Sequence, residues 1–181
     1  ERACVRLARG LADALAHAHS RAVLHRDVKP SNVILDAAGN VRLLDFGLSQ
    51  LEGASDLTKS GALLGSLPYA PPEQVTGTAR EHDVRADIYS LGVTLYELLT
   101  LHSPFLDRNE AATRRNVELA DPKPARQLYR GLSWETAAVV AVAMDRDPAR
   151  RYQNMVEFAA DLQRILDRRA IVARPPGVML R

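Results

Sequence analysis

Residues 25–47 constrain this chain more than any other stretch, because they place several reactive side chains at short, fixed spacings. Asp27, Lys29 and Asn32 lie close together, and Asp45 follows them after two short apolar runs. Transfer of a phosphoryl group to a hydroxyl requires a carboxylate beside the attacking oxygen, a cation near the moving group and oxygen ligands for Mg²⁺. These four side chains can supply all three, so the stretch predicts phosphoryl-transfer chemistry.

The same stretch predicts a small β-hairpin. Apolar runs at 33–35 and 41–44 flank residues 36–40, whose Asp, Gly and Asn are typical of a turn. The hairpin would place Asn32 just before its first strand and Asp45 just after its second. Both oxygen ligands are therefore expected at the same end of the hairpin.

The rest of the chain is predicted to be mainly helical. Residues 84–100 are apolar almost all round, which indicates a buried central helix. Residues 48–70 are polar and weakly periodic, and they predict a long loop. His17 and His19 are two apart in the first helical segment and therefore make a poor metal pair. The other helices are predicted from apolar spacing and capping residues at 2–20, 109–119, Ser133 to Met144 and 154–167, with a short helix through Gln74 and Val75.

Composition excludes several classes of protein. With 46% hydrophobic and 25% charged residues in 181 positions, the chain is an ordinary globular domain. A net charge of +2 is too small to predict nucleic-acid binding. No apolar run is long enough to cross a membrane. Cys4 is the one cysteine, which excludes an internal disulfide and predicts a reducing, cytoplasmic compartment. Any membrane anchor of the parent protein is expected to lie outside these residues.

The motif spacing resembles a known family. Residues 25–32 read H-R-D-V-K-P-S-N and residues 45–47 read D-F-G, as in the eukaryotic-type, or Hanks-type, Ser/Thr protein kinases. The resemblance covers about residues 1–167 and only the helical C-terminal lobe of that domain. It implies a mainly α fold whose small hairpin carries the catalytic and metal-binding loops. The Ala- and Arg-rich composition is typical of a bacterial member, and residues 168–181 are predicted to be a basic tail or linker.

The resemblance assigns roles to the reactive side chains. Asp27 would accept or orient the proton of the substrate hydroxyl, and Lys29 would neutralise charge on the γ-phosphoryl group. A Lys at this position is typical of the Ser/Thr subclass. Asn32 and Asp45 would hold the Mg²⁺ that bridges the ATP phosphates, and Ile34 would form the floor beneath the adenine ring. ATP and Mg²⁺ are thus the expected cofactors, and a protein is the expected substrate.

Other matching residues are expected to be structural. Asp87 in the central helix matches a family Asp that accepts backbone N–H bonds from the loop containing His25. Glu73 matches an acid that pairs with an Arg near the lower helices. Arg151 is the expected partner, and Arg150 is an alternative that the sequence leaves open.

Regulatory roles are predicted for further residues of this region. Arg26 stands directly before the catalytic Asp and is expected to receive a phosphate carried by Thr58 or Ser60. Ser66 is expected to contact the catalytic loop. Phe46 is expected to pack beneath a regulatory helix of the N-terminal lobe and to set active or inactive geometry.

The chain also departs from the family pattern. Pro71 stands where the family's A-P-E segment has Ala. No G-x-G-x-x-G loop and no V-A-I-K-like lysine occurs, and the chain starts inside a helical pattern without an initiator Met. We therefore expect a C-lobe fragment that needs a missing N-lobe as its partner and is inactive alone.

Two alternatives remain at this point. The first is a non-catalytic, kinase-derived interaction module. It is less favoured because the acid and amide side chains of the motif, Asp27, Asn32 and Asp45, are all present. The second is a small-molecule kinase of similar fold, which Lys29 and the peptide-type ending Pro72-Glu73 count against.

Overall fold

The computed structural model describes residues 1–46 and 63–174. Within these residues the chain forms α-helices and one two-stranded sheet. In the described part, no helix combines the length and apolar character that a membrane span requires. The helices are α1 (Arg2–His19), α2 (Leu63–Ser66), α3 (Pro72–Val75), α4 (Arg85–Thr100), α5 (Glu110–Leu119), α6 (Ala125–Leu128), α7 (Trp134–Ala143) and α8 (Met155–Leu166).

The predicted hairpin is confirmed. Strands β1 (Val33–Leu35) and β2 (Val41–Leu43) pair antiparallel, with the first residue of β1 opposite the last residue of β2. The backbone N–H of Leu44 donates to the carbonyl of Asn32 at 2.8 Å, which continues the pairing by one step. Asn32 and Asp45 therefore emerge at the same end of the hairpin.

Helix α4 is the centre of the helical core. Twelve of its sixteen residues are buried, as the apolar pattern predicts. It ends at Leu101, whose left-handed conformation (φ 58°) lets its N–H donate to the Glu97 carbonyl at 2.7 Å. The predicted helix at 84–100 is confirmed, and a non-glycine residue provides its left-handed C-cap.

Helices α1 and α8 pack together beside α4. Each is amphipathic and buries one apolar side: Leu11 and Leu15 from α1, Phe158 and Leu162 from α8. The loop at residues 25–32, called the catalytic loop below, and the hairpin follow α1 in the chain. The packing of α1 against α8 and α4 therefore fixes the position from which this loop starts.

The predicted loop at 48–70 was wrong at its C-terminal end. Residues from 63 onward form α2 and then a 3₁₀ turn at Leu67–Tyr69. Helix α6 was also not predicted. Each of these helices is four residues long, which is too short to show helical periodicity in a sequence.

The contact between α4 and α7 gives a stability prediction. A Cβ added at Gly92 would lie 2.9 Å from the Ala143 Cβ and 3.0 Å from the Met144 Cγ. We expect Gly92→Ala to lower the free energy of unfolding by about 1–3 kcal/mol, because the buried helices must separate to accept the methyl group. Urea denaturation measures this change.

The control is Gly10→Ala in α1, where the added Cβ would meet Val41 Cγ1 at an ordinary 3.4 Å. It should be neutral or stabilising by up to about 1 kcal/mol, since Ala favours helix more than Gly does. Equal destabilisation by both substitutions would contradict the packing argument.

Candidate active site

A buried carboxylate holds the backbone of the catalytic loop. Asp87 is fully buried, and its two oxygens accept the backbone N–H groups of His25 (2.9 Å) and Arg26 (2.8 Å). Nε2 of His19 lies 2.8 Å from the same carboxylate. A buried charge is tolerated when it is paired and hydrogen-bonded in this way. The clamp holds Arg26 in a left-handed conformation (φ 65°) directly before Asp27.

His25 connects the loop to the end of the hairpin. Its Nδ1 accepts the backbone N–H of Asp27 at 3.2 Å, so its Nε2 carries the proton that it donates to the Leu44 carbonyl at 2.7 Å. The edge of its ring meets the ring of Phe46, with 4.7 Å between centroids. One buried imidazole therefore links Leu44, the residue before Asp45, to Asp27.

Asp27 lies at the centre of a polar cluster. Its Oδ2 is 2.8 Å from Nζ of Lys29 and accepts a hydrogen bond from Nδ2 of Asn32 at 3.0 Å. The same Asn32 amide donates to the Asp27 carbonyl at 2.8 Å. Nζ of Lys29 also donates to Oγ of Ser66 at 2.6 Å. The structure thus brings together four residues that the sequence assigned to one site.

This cluster controls the charge of Asp27. Partial burial raises the pKa of the Asp27 carboxyl, but hydrogen bonds from Lys29, Ser66 and Asn32 and the Lys29 charge lower it by more. The net pKa lies below the ordinary value of 3.8. Asp27 is therefore ionised at neutral pH. The lowered pKa also means that the ionised Asp27 stabilises the folded state at any pH above its unfolded-state pKa. This contribution to stability is lost as the pH falls through the folded-state pKa of Asp27.

The candidate metal ligands lie next to this cluster. Asn32 is buried, and because its Nδ2 points at Asp27, its Oδ1 is the atom left for a cation. Asp45 is exposed and has a left-handed backbone (φ 61°) at the end of β2. An amide oxygen and a carboxylate suit Mg²⁺, which keeps several waters and takes few protein ligands. Ile34 presents an exposed apolar side chain from β1.

A second buried charge pair connects α3 to the residues just before α8. Arg151 donates to both carboxylate oxygens of Glu73, at 2.7 and 2.8 Å. The Arg151 side chain is 0% exposed, whereas that of Arg150 is 63% exposed and lies 3.8 Å from Asp147. The geometry therefore selects Arg151 rather than Arg150 as the partner of Glu73.

The family described as Protein kinase domain matches residues 1–161. This chain belongs to the protein kinase family. The predicted resemblance to bacterial, Hanks-type Ser/Thr kinases is confirmed.

Its curated relatives are bacterial. Serine/threonine-protein kinase PknL of Mycobacterium tuberculosis is 38% identical over 170 residues, which cover 93% of this chain and 42% of the relative. Serine/threonine-protein kinase PknB of Mycobacterium leprae is 37% identical over 153 residues, covering 84% of this chain and 24% of the relative. The chain therefore spans between a quarter and about two fifths of the length of these relatives.

The catalytic loop of this kinase chain borders a pocket. Arg26, Asp27 and Val28 form one side, and the 3₁₀ turn and α3 form the other through Leu67, Tyr69, Gln74 and Val75. The pocket is largely apolar next to the Asp27 carboxylate.

Three contacts of this kinase site were not found from the sequence. His19 supports Asp87, although the spacing of the histidines indicated only that they do not share a metal. The hydroxyl of Tyr69 donates to Glu97 at 2.6 Å, and Oγ of Ser90 donates to the Tyr69 carbonyl at 2.9 Å. All three contacts join segments that are far apart in the chain, and no local spacing indicates them.

The predicted phosphate acceptors Thr58 and Ser60 lie outside the described residues. Their regulatory role, and that of Arg26 as the receiving group, stays a prediction. Of the predicted regulatory hydroxyls, Ser66 lies within the described residues and bonds to Lys29.

Proposed function

We propose that this chain is the catalytic large lobe of a Ser/Thr protein kinase, which transfers the γ-phosphoryl group of ATP to a Ser or Thr hydroxyl of a protein. One observation carries the proposal: Lys29 lies 2.8 Å from the Asp27 carboxylate and 2.6 Å from Ser66. A base and a cation are thereby fixed on one loop. The lone Cys4 is consistent with action in the cytoplasm.

The reaction would use these groups in a defined order. The substrate hydroxyl approaches Asp27, which is ionised and accepts its proton as the oxygen attacks. The Lys29 ammonium stabilises negative charge on the oxygens of the moving phosphoryl group. Mg²⁺, when bound to Asn32 and Asp45, would neutralise the ATP phosphates. The clamp at Asp87 keeps the loop in place, so little reorganisation is needed during the step.

The peptide substrate would lie across the pocket beside Asp27. The apolar lining from Val28, Leu67 and Val75 favours an apolar side chain next to the phosphorylated residue. Oγ of Ser66 holds Lys29 at the border of this pocket. Substrate docking and the position of the catalytic cation would therefore be linked.

An exposed apolar surface lies at the hairpin end of the chain. Its side chains are between 39% and 59% exposed and come from β1, from the residues after β2 and from the entry to the catalytic loop: Val23, Ile34, Leu35, Leu44 and Phe46. Patches of this kind are typical of interaction sites. We propose that an ATP-binding small lobe, with the glycine loop and lysine that are not among these 181 residues, covers this surface.

A kinase-derived interaction module remains the alternative, and an activity assay separates the two. We expect the 181-residue chain alone to transfer negligible phosphate, since positioning of ATP supplies much of the rate. A longer polypeptide that includes a small lobe with both ATP-binding motifs should phosphorylate a protein substrate in the presence of Mg²⁺. Transfer by the isolated chain, or none by the two-lobed protein, would contradict the proposal.

A further inference from the structure

The chain reverses direction after α8. Arg168 adopts a left-handed conformation (φ 56°), and its N–H donates to the Ile165 carbonyl at 3.1 Å. The N–H of Arg169 then donates to the Arg164 carbonyl at 2.8 Å. Such bonds end a helix and turn the following residues back along it. Residues 169–174 therefore run alongside α8 instead of continuing its direction.

A single carboxylate captures the returning segment. Oδ1 of Asp161 accepts the backbone N–H of Val172 at 2.9 Å, and its Oδ2 accepts that of Ala173 at 2.7 Å. Nη1 of Arg164 donates to Oδ1 at 2.8 Å, and the hydroxyl of Tyr152 donates to Oδ2 at 3.0 Å. Both oxygens of this fully buried carboxylate therefore have two partners each.

The burial of the segment agrees with this capture. Ala173 is only 8% exposed and Ile171 packs against the core, whereas Val172 between them is 66% exposed. Burial, reinforced by the Asp161 charge, raises the pKa of Tyr152, so its hydroxyl stays protonated and remains a donor. One side of the segment is thus packed against the protein, and the other side is exposed to solvent.

The arrangement repeats the device that holds the catalytic loop. Asp87 binds the N–H groups of two consecutive residues with its two oxygens, His25 and Arg26. Asp161 binds two consecutive N–H groups in the same manner. A buried carboxylate with a full set of donors is costly to break, because loss of its partners leaves an unpaired charge.

We propose that Asp161 is a latch that holds residues 171–173 as a strap on α8 and fixes the point at which the chain leaves the helical base. The strap forms one wall of a largely apolar groove, whose other walls come from α7, α8 and the turn before α8: Val142, Tyr152, Val156 and Ala160. Opening the latch would remove this wall of the groove. The latch extends the folded unit to Ala173, beyond the boundary at 167 that the sequence predicts.

Hydrogen exchange of the 181-residue chain tests the latch directly. We expect the amides of Val172 and Ala173 to exchange slowly, although they lie in a segment without regular secondary structure. Val172→Pro removes one captured N–H from the strap side and leaves α8 intact. It should raise the exchange rate at Ala173 at least tenfold and speed tryptic cleavage after Arg168 and Arg169.

Val172→Ala is the matched control, because it keeps the N–H and changes only an exposed side chain; exchange and cleavage should match the parent chain. Asp161→Asn is the second variant, since an amide nitrogen cannot accept a backbone N–H. Thermal unfolding reports whether it remains folded. Rapid exchange at both amides in the parent chain, or unchanged exchange and cleavage in Val172→Pro, would overturn the proposal.

Discussion

Replacing Asp27 with Asn in the two-lobed protein is expected to lower kcat by about 10²–10⁴-fold, because general-base catalysis contributes a factor of that order. This corresponds to about 3–5 kcal/mol of transition-state stabilisation. The substitution keeps the size of the side chain but removes the charge that Lys29 contacts at 2.8 Å. Single-turnover phosphorylation of a protein substrate measures the effect.

The fold should survive this change, since Asp27 is only partly buried. A Tm within a few degrees of the parent protein would show that the loss is catalytic. Asp121→Asn removes an exposed carboxylate elsewhere on the surface and should leave kcat unchanged. If Asp27→Asn kept most of the activity while ATP and Mg²⁺ were required, Asp27 would not be the base.

The pH dependence gives a separate check on the same group. Because the pKa of Asp27 lies below 3.8 in the fold, its ionisation should not produce a limb in the kcat profile between about pH 6 and 8. Ser66→Ala removes one of the hydrogen bonds that lower the pKa of Asp27. It should therefore move any acid limb of the kcat profile to higher pH.

The sequence predicts the parts of this fold that depend on local pattern. The apolar runs on either side of residues 36–40 predict the hairpin, and the apolar character of 84–100 on almost all sides predicts the buried helix. Ser133 precedes its helix as a typical cap, and its Oγ accepts the Thr136 N–H at 3.2 Å. In each case the determining residues are neighbours in the chain.

Contacts between distant segments were predicted only where a family motif named both partners. The Asp87 clamp and the Glu73–Arg151 pair belong to this group, and the structure brings each set together. His19 has no such motif, and its contact with Asp87 depends on how α1 packs beside α4. Physical pattern alone does not determine that packing, because many helix arrangements bury the same apolar faces.

The position of residues 168–174 at the end of the domain could not be predicted from the sequence either. Residues 168–174 are basic and lack periodicity, which favours a tail. Their place is set by the left-handed turn at Arg168 and by one carboxylate in α8. A buried Asp in an amphipathic helix is a weak signal, since the sequence does not show whether backbone N–H groups will reach it.

The largest stability effect is expected at Arg151. Its side chain is fully buried, binds Glu73 with both terminal nitrogens and donates from Nε to the Asp145 carbonyl at 2.7 Å. Its guanidinium also lies 4.6 Å from the centre of the Tyr89 ring. Arg151→Met is expected to lower the free energy of unfolding by about 3–5 kcal/mol, because Glu73 is left charged without a partner. For a chain of this size the Tm should fall by roughly 10 °C.

Arg150→Met is the matched control one residue away, in a side chain that is mostly exposed and 3.8 Å from its acid. It should change the free energy of unfolding by less than about 0.5 kcal/mol, as exposed pairs contribute little. Adding Glu73→Gln to Arg151→Met should restore part of the lost stability, because the unpaired charge is then removed. Equal effects of Arg150→Met and Arg151→Met, or no recovery in the double variant, would show that burial of the charge pair does not determine the stability of this part of the fold.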